Sequence, residues 1–69
     1  MNRTPLGYSV VGAHAKSVRV GDLVQQGDHW HRIRDLRQVD RDRRAAVLDG
    51  LPGVWLLPVT FAVMRPVRP

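Results

Sequence analysis

Short runs of apolar and β-branched residues, separated by turns rich in glycine and proline, recur along the chain. The clearest case lies within residues 18–36, where the run LVQQ at 23–26 ends at Gly27-Asp28 and an apolar residue, Trp30, follows the turn. Strand-forming residues on both sides of a glycine turn are typical of a β-hairpin. The segment therefore predicts two strands joined by a tight turn.

The second strand of this hairpin, predicted over residues 29–37, carries its apolar residues at positions 30, 33 and 36. A spacing of three fits neither the period of two of a flat strand nor a lasting helical face, which turns by about 100° per residue. A long strand with a β-bulge near Arg32 reconciles the spacing with a sheet. The alternative is a helix over residues 30–48, which contain many good helix formers.

The other predicted strands are also short, and they follow one another at a spacing of roughly ten residues. They are residues 8–11, 18–20, 44–49, 54–57 and 63–67, with a helical turn at 59–62 and with Pro66 and Pro69 confining the last strand to a sheet edge. This pattern predicts an all-β domain, either a small barrel or a sandwich, with no substantial helix. Residues 1–7 lack periodicity and predict a flexible N-terminal end, which leaves 8–69 as one domain.

Composition excludes several classes of protein. The 69 residues contain no cysteine, so neither a disulfide framework nor a thiolate zinc site is expected, and the reducing cytoplasm is the expected location. No run approaches the roughly 18 apolar residues of a membrane span, so no membrane association is predicted. The first 16 residues are too interrupted by proline and glycine to act as a secretory signal.

The charge is strongly basic: ten arginines and one lysine face six aspartates, for a net charge of +5. Such a balance favours polyanions or acidic protein surfaces as partners. The preference for arginine over lysine and for aspartate over glutamate is also typical of a GC-rich genome. Mutational bias is therefore the alternative source of the arginines.

Six arginines form a basic tract over the predicted second strand and the following hairpin: Arg32, Arg34, Arg37, Arg41, Arg43 and Arg44. Guanidinium groups bind phosphate in a bidentate manner and stack on bases. The tract therefore predicts an edge that binds nucleic acid, either DNA or RNA. Three aspartates at positions 35, 40 and 42 leave open the alternative of a self-neutralising, solvated hairpin.

The apolar strand at residues 54–57 has hydrophobic side chains on both faces. A small barrel cannot bury both faces of every strand, and alternate residues share a face. We assign Trp55 and Leu57 to the exposed face, as an interface for a protein partner or for self-association, and a core position of Trp55 is the alternative. Trp30, in contrast, is predicted to anchor the core beneath the first hairpin.

His29 and His31 are two residues apart on a predicted strand and share a face, so both imidazoles could approach one metal ion. Two ligands are too few for a structural zinc site. His14 and Asp28 could complete it, but no spacing demands this. We predict an exposed face that carries two histidines, with no metal and no cofactor.

Catalytic residues are scarce in this chain. It has no glutamate and no cysteine, and neither Ser9 nor Ser17 lies in a Gly-x-Ser-x-Gly motif. Each glycine marks a separate turn, so no glycine-rich phosphate loop is present. We therefore predict a binding module and not an enzyme.

Residues 18–65 contain, in order, the motif GDLV, a turn, a strand led by a tryptophan, a charged hairpin, a short apolar strand ending at Pro58 and a final MRP. This order resembles the small Src-homology-3-like (SH3-like) barrels of phage, plasmid and actinobacterial proteins, including domains with KOW-type motifs. The resemblance implies an SH3-like barrel of five to six strands. From the arginine tract of residues 32–44 we predict a nucleic-acid-binding regulatory or accessory protein of a phage, plasmid or bacterial operon, and protein interaction is the alternative.

Type II dihydrofolate reductases belong to the same group of barrels and are similar to this chain at Gly21-Asp22 and at residues 54–59. Their active site uses a Val-Gln-Ile-Tyr strand. The matching strand here is Val54-Trp55-Leu56-Leu57, which lacks both the glutamine and the tyrosine. The reductase activity is therefore not expected.

Overall fold

The structure is a computed structural model that describes residues 6–67. Six strands follow one another along the chain: β1 (Tyr8–His14), β2 (Leu23–Gln26), β3 (His29–Gln38), β4 (Arg44–Leu48), β5 (Trp55–Leu56) and β6 (Thr60–Pro66). The described residues contain no helix. The all-β prediction is confirmed, and the alternative of a helix over residues 30–48 is wrong.

The strands form one antiparallel sheet in the order β1-β6-β2-β3-β4-β5. Its two edges, β1 and β5, do not pair with each other, so the sheet is open and the predicted closed barrel is wrong. The physical reason is the length of β5, which has only two residues and pairs with β4 alone. A two-residue strand at this edge presents little backbone on which the seven-residue β1 could close the sheet.

Several strand boundaries differ from their predictions. β1 continues to His14, residues 18–20 belong to the loop before β2, and Thr60 opens β6 where a helical turn was expected. β6 lies between β1 and β2, so its predicted edge position is wrong. Pro66 is tolerated because it ends the strand, beyond the single Cα pair that joins β6 to β2 at Leu23.

The predicted flexible end, residues 1–7, lies outside the described residues except for Leu6 and Gly7. Leu6 is fully exposed, whereas the carbonyl of Gly7 accepts a hydrogen bond from the backbone N–H of Val67 at 2.7 Å. Pro69 also lies outside the described part of the chain.

A β-bulge in β3 explains the spacing of three along this strand. Ile33 pairs with Leu48 and Asp35 pairs with Val47, so the register shifts between them and leaves Arg34 as the extra residue. The shift returns Leu36 to the face of Ile33. The predicted bulge is confirmed, at Arg34 instead of Arg32.

The core lies on one face of the coiled sheet. Its members come from five of the strands and from the loops: Ala13, Val18, Val24, Ile33, Ala46, Leu48, Leu57 and Val63. Partly buried side chains, among them Phe61 and Trp55, pack against this cluster. Aliphatic side chains from distant parts of the sequence therefore meet in a single core, as expected for a domain of this size.

Trp30 lies outside this core, so its predicted anchoring role is wrong. Alternation along β3 places His31 and Ile33 on the same face and Trp30 on the opposite one. His31 is paired with Val24, a core residue. Because the bulge lies after Ile33, it does not alter the face of Trp30, which is half-buried on the outer side of the sheet.

A buried ion pair joins the loop before β2 to the last strand. Asp22 is only 2% exposed, and Arg65 donates to both of its carboxylate oxygens, from Nε at 2.9 Å and from Nη2 at 2.8 Å. Arg65 Nη2 also donates to the carbonyl of Ser17, and the backbone N–H of Arg19 donates to Asp22 Oδ2. Such bidentate, charge-assisted hydrogen bonds are the strongest class in proteins.

The hydrogen bond with Asp22 raises the pKa of the Arg65 guanidinium above its ordinary value. A base whose pKa is raised on folding stabilises the folded state at every pH below its ordinary pKa. The contribution of Arg65 is therefore complete across the neutral range and is lost only in strongly alkaline solution.

Gly21 allows the backbone to turn so that Asp22 reaches Arg65. Its φ of 99° lies in the region that favours glycine, and its N–H donates to the carbonyl of Ile33 at 3.0 Å. The next carbonyl, that of Asp22, accepts the N–H of Ile33 at 2.8 Å. The Gly21-Asp22 pair therefore continues the sheet toward β3 while its carboxylate points to Arg65.

We expect Arg65→Met to destabilise the domain by about 3–5 kcal/mol, because it leaves the buried carboxylate of Asp22 without its cation. Urea denaturation measures the loss. The matched control is Arg37→Met, which removes an exposed ion pair with Asp35 and should cost less than about 1 kcal/mol. Equal losses for the two variants would contradict this assignment.

Candidate nucleic-acid interface

The six arginines of the basic tract lie on β3 and on the connection to β4. Arg32, Arg34 and Arg37 are exposed on β3, Arg41 and Arg43 are exposed in the connection, and Arg44 opens β4 half-buried. The strand and hairpin locations expected from the sequence are therefore correct. Whether the arginines act together depends on their partners and their neighbours.

Three of these arginines have polar partners. Arg37 Nε is 3.1 Å from Asp35 Oδ2, and Arg32 Nη2 is 3.9 Å from Asp49 Oδ2. Arg44 Nε donates to Gln38 Oε1 at 3.1 Å. The two ion pairs are exposed on both sides, so each contributes little to stability. Their aspartates nevertheless offset part of the positive charge of β3.

The other three, Arg34, Arg41 and Arg43, have no side-chain partner among residues 6–67. Arg34 is the bulge residue, so it has no directly opposite neighbour on β4. Arg41 and Arg43 lie at the tip of the β3–β4 hairpin. These three guanidinium groups are free to bind an anion from solution.

The tip of the hairpin is organised by its own polar side chains. The N–H of Asp42 donates to Asp40 Oδ1 at 2.9 Å, and Gln38 Nε2 donates to the carbonyl of Asp40. The N–H of Val39 donates to the carbonyl of Arg43 at 3.2 Å. Asp40 therefore shapes the turn and forms no ion pair with the arginines beside it.

Two of the free arginines, Arg34 and Arg41, line different clefts. Arg34 lines a shallow cleft of about 300 Å³ together with Arg32, Ile33 and the Val20-Gly21 loop. Arg41 lines a second cleft, of about 320 Å³, whose walls are His14, Ala15, Lys16, Arg41, Asp42, Val59 and Thr60. The two clefts share no residue. Arg43, the third free arginine of the tract, lines neither cleft.

The second cleft contains basic residues that sequence reasoning missed. Lys16, the only lysine of the chain, and His14 come from the turn after β1 and reach the same space as Arg41. Nothing in their spacing along the sequence indicates this meeting. The pairing of β1 with β6 places His14 opposite Thr60, and tertiary packing adds Arg41 from the hairpin tip.

The predicted exposure of Leu57 is wrong. Leu57 is 6% exposed and belongs to the core, and Trp55 is half-buried against the same core with its Nε1–H donating to the carbonyl of Pro52 at 3.0 Å. The register of β5 agrees with this, because Trp55 lies opposite Ala46, a member of the core cluster, whereas Leu56 lies opposite Ala45, which is outside that cluster. The outward pair is instead Val54 and Leu56, at 55% and 54% exposure.

The three histidines do not come together. His29 and His31 lie with ring centroids 6.4 Å apart in an edge-on arrangement, and His31 Nδ1 is 3.0 Å from the carbonyl of Asp49, to which it donates. His14 lies at the Arg41 cleft. Across residues 6–67, no three histidine, aspartate or glutamate side chains are grouped closely enough to hold a metal ion.

The chain matches no protein-family model, no curated protein and no solved structure in comparisons of sequence and fold. Within the described residues, no helix is long and apolar enough to cross a membrane. The fold and the surface define a small, basic domain built on one antiparallel sheet.

Replacing Leu57 and Leu56 separately tests the inward and outward faces of β5. Leu57→Ala should cost about 2–5 kcal/mol, since it opens a cavity in the core. Leu56→Ala removes an exposed side chain and should change stability by no more than about 0.5 kcal/mol. Thermal or urea unfolding of the two variants measures the difference. The reverse order would restore the original prediction for Leu57.

Proposed function

We propose that this protein is a small, non-enzymatic module that binds nucleic acid through contacts between arginine and phosphate. The observation that carries the proposal is that three guanidinium groups of the basic tract, those of Arg34, Arg41 and Arg43, are exposed and have no polar partner in the described chain. The net charge of +5 adds a long-range attraction to polyanions.

Arginine is the side chain best suited to phosphate, because its planar group donates two parallel hydrogen bonds to two oxygens. The free arginines lie on a strand bulge and on a hairpin tip. The described chain offers no helix that could enter a major groove. Contacts with the phosphate backbone position a protein on a nucleic acid but do not read the base sequence. We therefore expect little sequence preference for DNA or RNA.

We also propose that the sheet is an open variant of the SH3-like barrel. The features that support it are the tight β2–β3 hairpin, the long bulged β3, the interruption at Pro58 between β5 and β6, and the position of β6 beside β1. A bacterial, phage or plasmid accessory protein in the cytoplasm fits this fold, and the absence of cysteine supports that location.

A second candidate function is protein interaction, including self-association. It is favoured by the exposure of Val54 and Leu56, two neighbouring aliphatic side chains around β5. Its residues therefore differ from the pair Trp55 and Leu57 that the sequence indicated. Clustered apolar exposure on a small domain is typical of contact surfaces.

The nucleic-acid proposal is tested by titrating fluorescent duplex and single-stranded oligonucleotides at several salt concentrations. Three duplex phosphates neutralised by the three free arginines give a slope of log affinity against log salt of roughly −2.7, at about −0.9 per contact. Replacing Arg34 and Arg43 together by glutamine should flatten the slope to roughly −0.9.

The matched control replaces Arg32 and Arg37 by glutamine, which removes the same charge from arginines that already have aspartate partners. The slope should change less in this control, because paired guanidinium groups neutralise fewer phosphates. Absence of binding tighter than about 1 mM for either nucleic acid at about 50 mM salt would overturn the proposal. Protein interaction would then be the better account.

Sedimentation measures the second candidate directly. If Val54 and Leu56 form a self-association surface, the average mass of the wild type rises with protein concentration, and Leu56→Gln restores the monomer without loss of stability. A wild type that remains monomeric throughout the range would exclude self-association through this surface.

A further inference from the structure

We propose that the cleft between the turn after β1 and the tip of the β3–β4 hairpin is a phosphate-binding site. The site is formed by Lys16, Arg41, His14 and Thr60. Of these residues, the basic tract contains only Arg41. If the ligand is the phosphate of a nucleic-acid backbone, the proposal rests on the proposed function. Binding of a free phosphate does not depend on that function.

One wall of the cleft is a hydrogen-bonded turn. The carbonyl of His14 accepts the N–H of Ser17 at 3.0 Å and that of Val18 at 2.9 Å, and the His14 N–H donates to Ser17 Oγ at 2.9 Å. Val18 belongs to the core, and Ala15 is buried as well. Lys16 is therefore presented from a backbone with little freedom to move, which lowers the entropic cost of binding an anion.

The imidazole of His14 is oriented by the same turn. The backbone N–H of Lys16 donates to His14 Nδ1 at 3.2 Å, so Nδ1 acts as the acceptor. In the neutral imidazole the proton then lies on Nε2, which makes Nε2–H a hydrogen-bond donor. Thr60, paired with His14 across β1 and β6, adds a hydroxyl that can donate to an oxygen.

The opposite wall is the hairpin tip, which contributes Arg41 and Asp42. Neither Lys16 nor Arg41 forms an ion pair within the described residues, although the carboxylate of Asp42 borders the same space. The lining therefore holds two cations against one carboxylate. The two cations come from opposite sides of the cleft, an arrangement suited to an oxyanion between them.

The size of the cleft favours a small ligand. Its volume of about 320 Å³ lies at the lower end of the range of roughly 300–1,000 Å³ for small-molecule sites. One sugar-phosphate unit is of this scale, and a phosphate group alone would fill only part of the cleft. Donors from a lysine, an arginine, an imidazole and a hydroxyl match the acceptor oxygens of phosphate.

The test is an NMR titration of the full chain, labelled with ¹⁵N, with inorganic phosphate at constant ionic strength. We expect saturable shifts of the amide signals of Lys16, Arg41 and Thr60. Lys16→Gln should weaken phosphate binding about tenfold, because it removes a charged hydrogen bond. Asp42→Asn should tighten binding, because it removes the carboxylate that repels the anion.

The control is Arg37→Gln, which removes one positive charge from β3 outside the cleft and should leave phosphate affinity within about twofold, since exposed charges at a distance are screened. Shifts that never saturate, or equal losses in Lys16→Gln and Arg37→Gln, would overturn the site. Circular dichroism of each variant excludes unfolding as the cause of a loss.

A parallel titration with a short oligothymidylate separates this site from the proposed function. Saturable shifts of the same three amides support the backbone phosphate as ligand. Phosphate binding in the cleft without oligothymidylate binding supports the site and contradicts the nucleic-acid function. Oligothymidylate binding that shifts only signals around Arg34, together with no saturable phosphate shifts in the cleft, supports the function and overturns the site.

Discussion

Arg65 donates to both oxygens of Asp22, and the buried Asp22 also accepts the backbone N–H of Arg19. This ion pair joins β6 to the loop before β2, and the backbone of Asp22 bonds in turn to Ile33 on β3. Three parts of the chain therefore converge on one carboxylate. Direct pairing between β2 and β6 amounts to one Cα pair, so the side-chain connection and the shared core join the two halves of the open sheet.

The basic side chains differ in whether they have a polar partner within the domain. Arg65 is bound to the buried Asp22, and Arg32, Arg37 and Arg44 bond to neighbouring polar groups. Arg34, Arg41 and Arg43, with Lys16 and Arg19 of the loop after β1, have no side-chain partner in the described chain and remain for solvent or a ligand. A bulge supplies Arg34, and turns and loops supply the others. Binding residues on bulges and turns can change without loss of the core, which is why such positions commonly carry function.

Local features were predictable from the sequence and long-range ones were not. The β2–β3 hairpin follows from Gly27-Asp28, and the bulge follows from apolar residues three apart. The prediction of which face of β5 points inward is wrong because both faces of that strand are apolar. Only its register with β4 decides between them. The sequence pattern also could not predict the ion pair of Asp22 with Arg65 or the shared cleft of Lys16 and Arg41, because tertiary packing creates both.

Amide hydrogen exchange at Arg19 tests most directly whether the Asp22 carboxylate holds the sheet together. Arg19 is an exposed loop residue, and loop amides bonded to water exchange rapidly. Because its N–H donates to buried Asp22, the account predicts that it exchanges only through global unfolding, as slowly as the amide of Ile33. Rapid exchange at Arg19 while Ile33 stays protected would show that the loop opens independently, and would contradict the account.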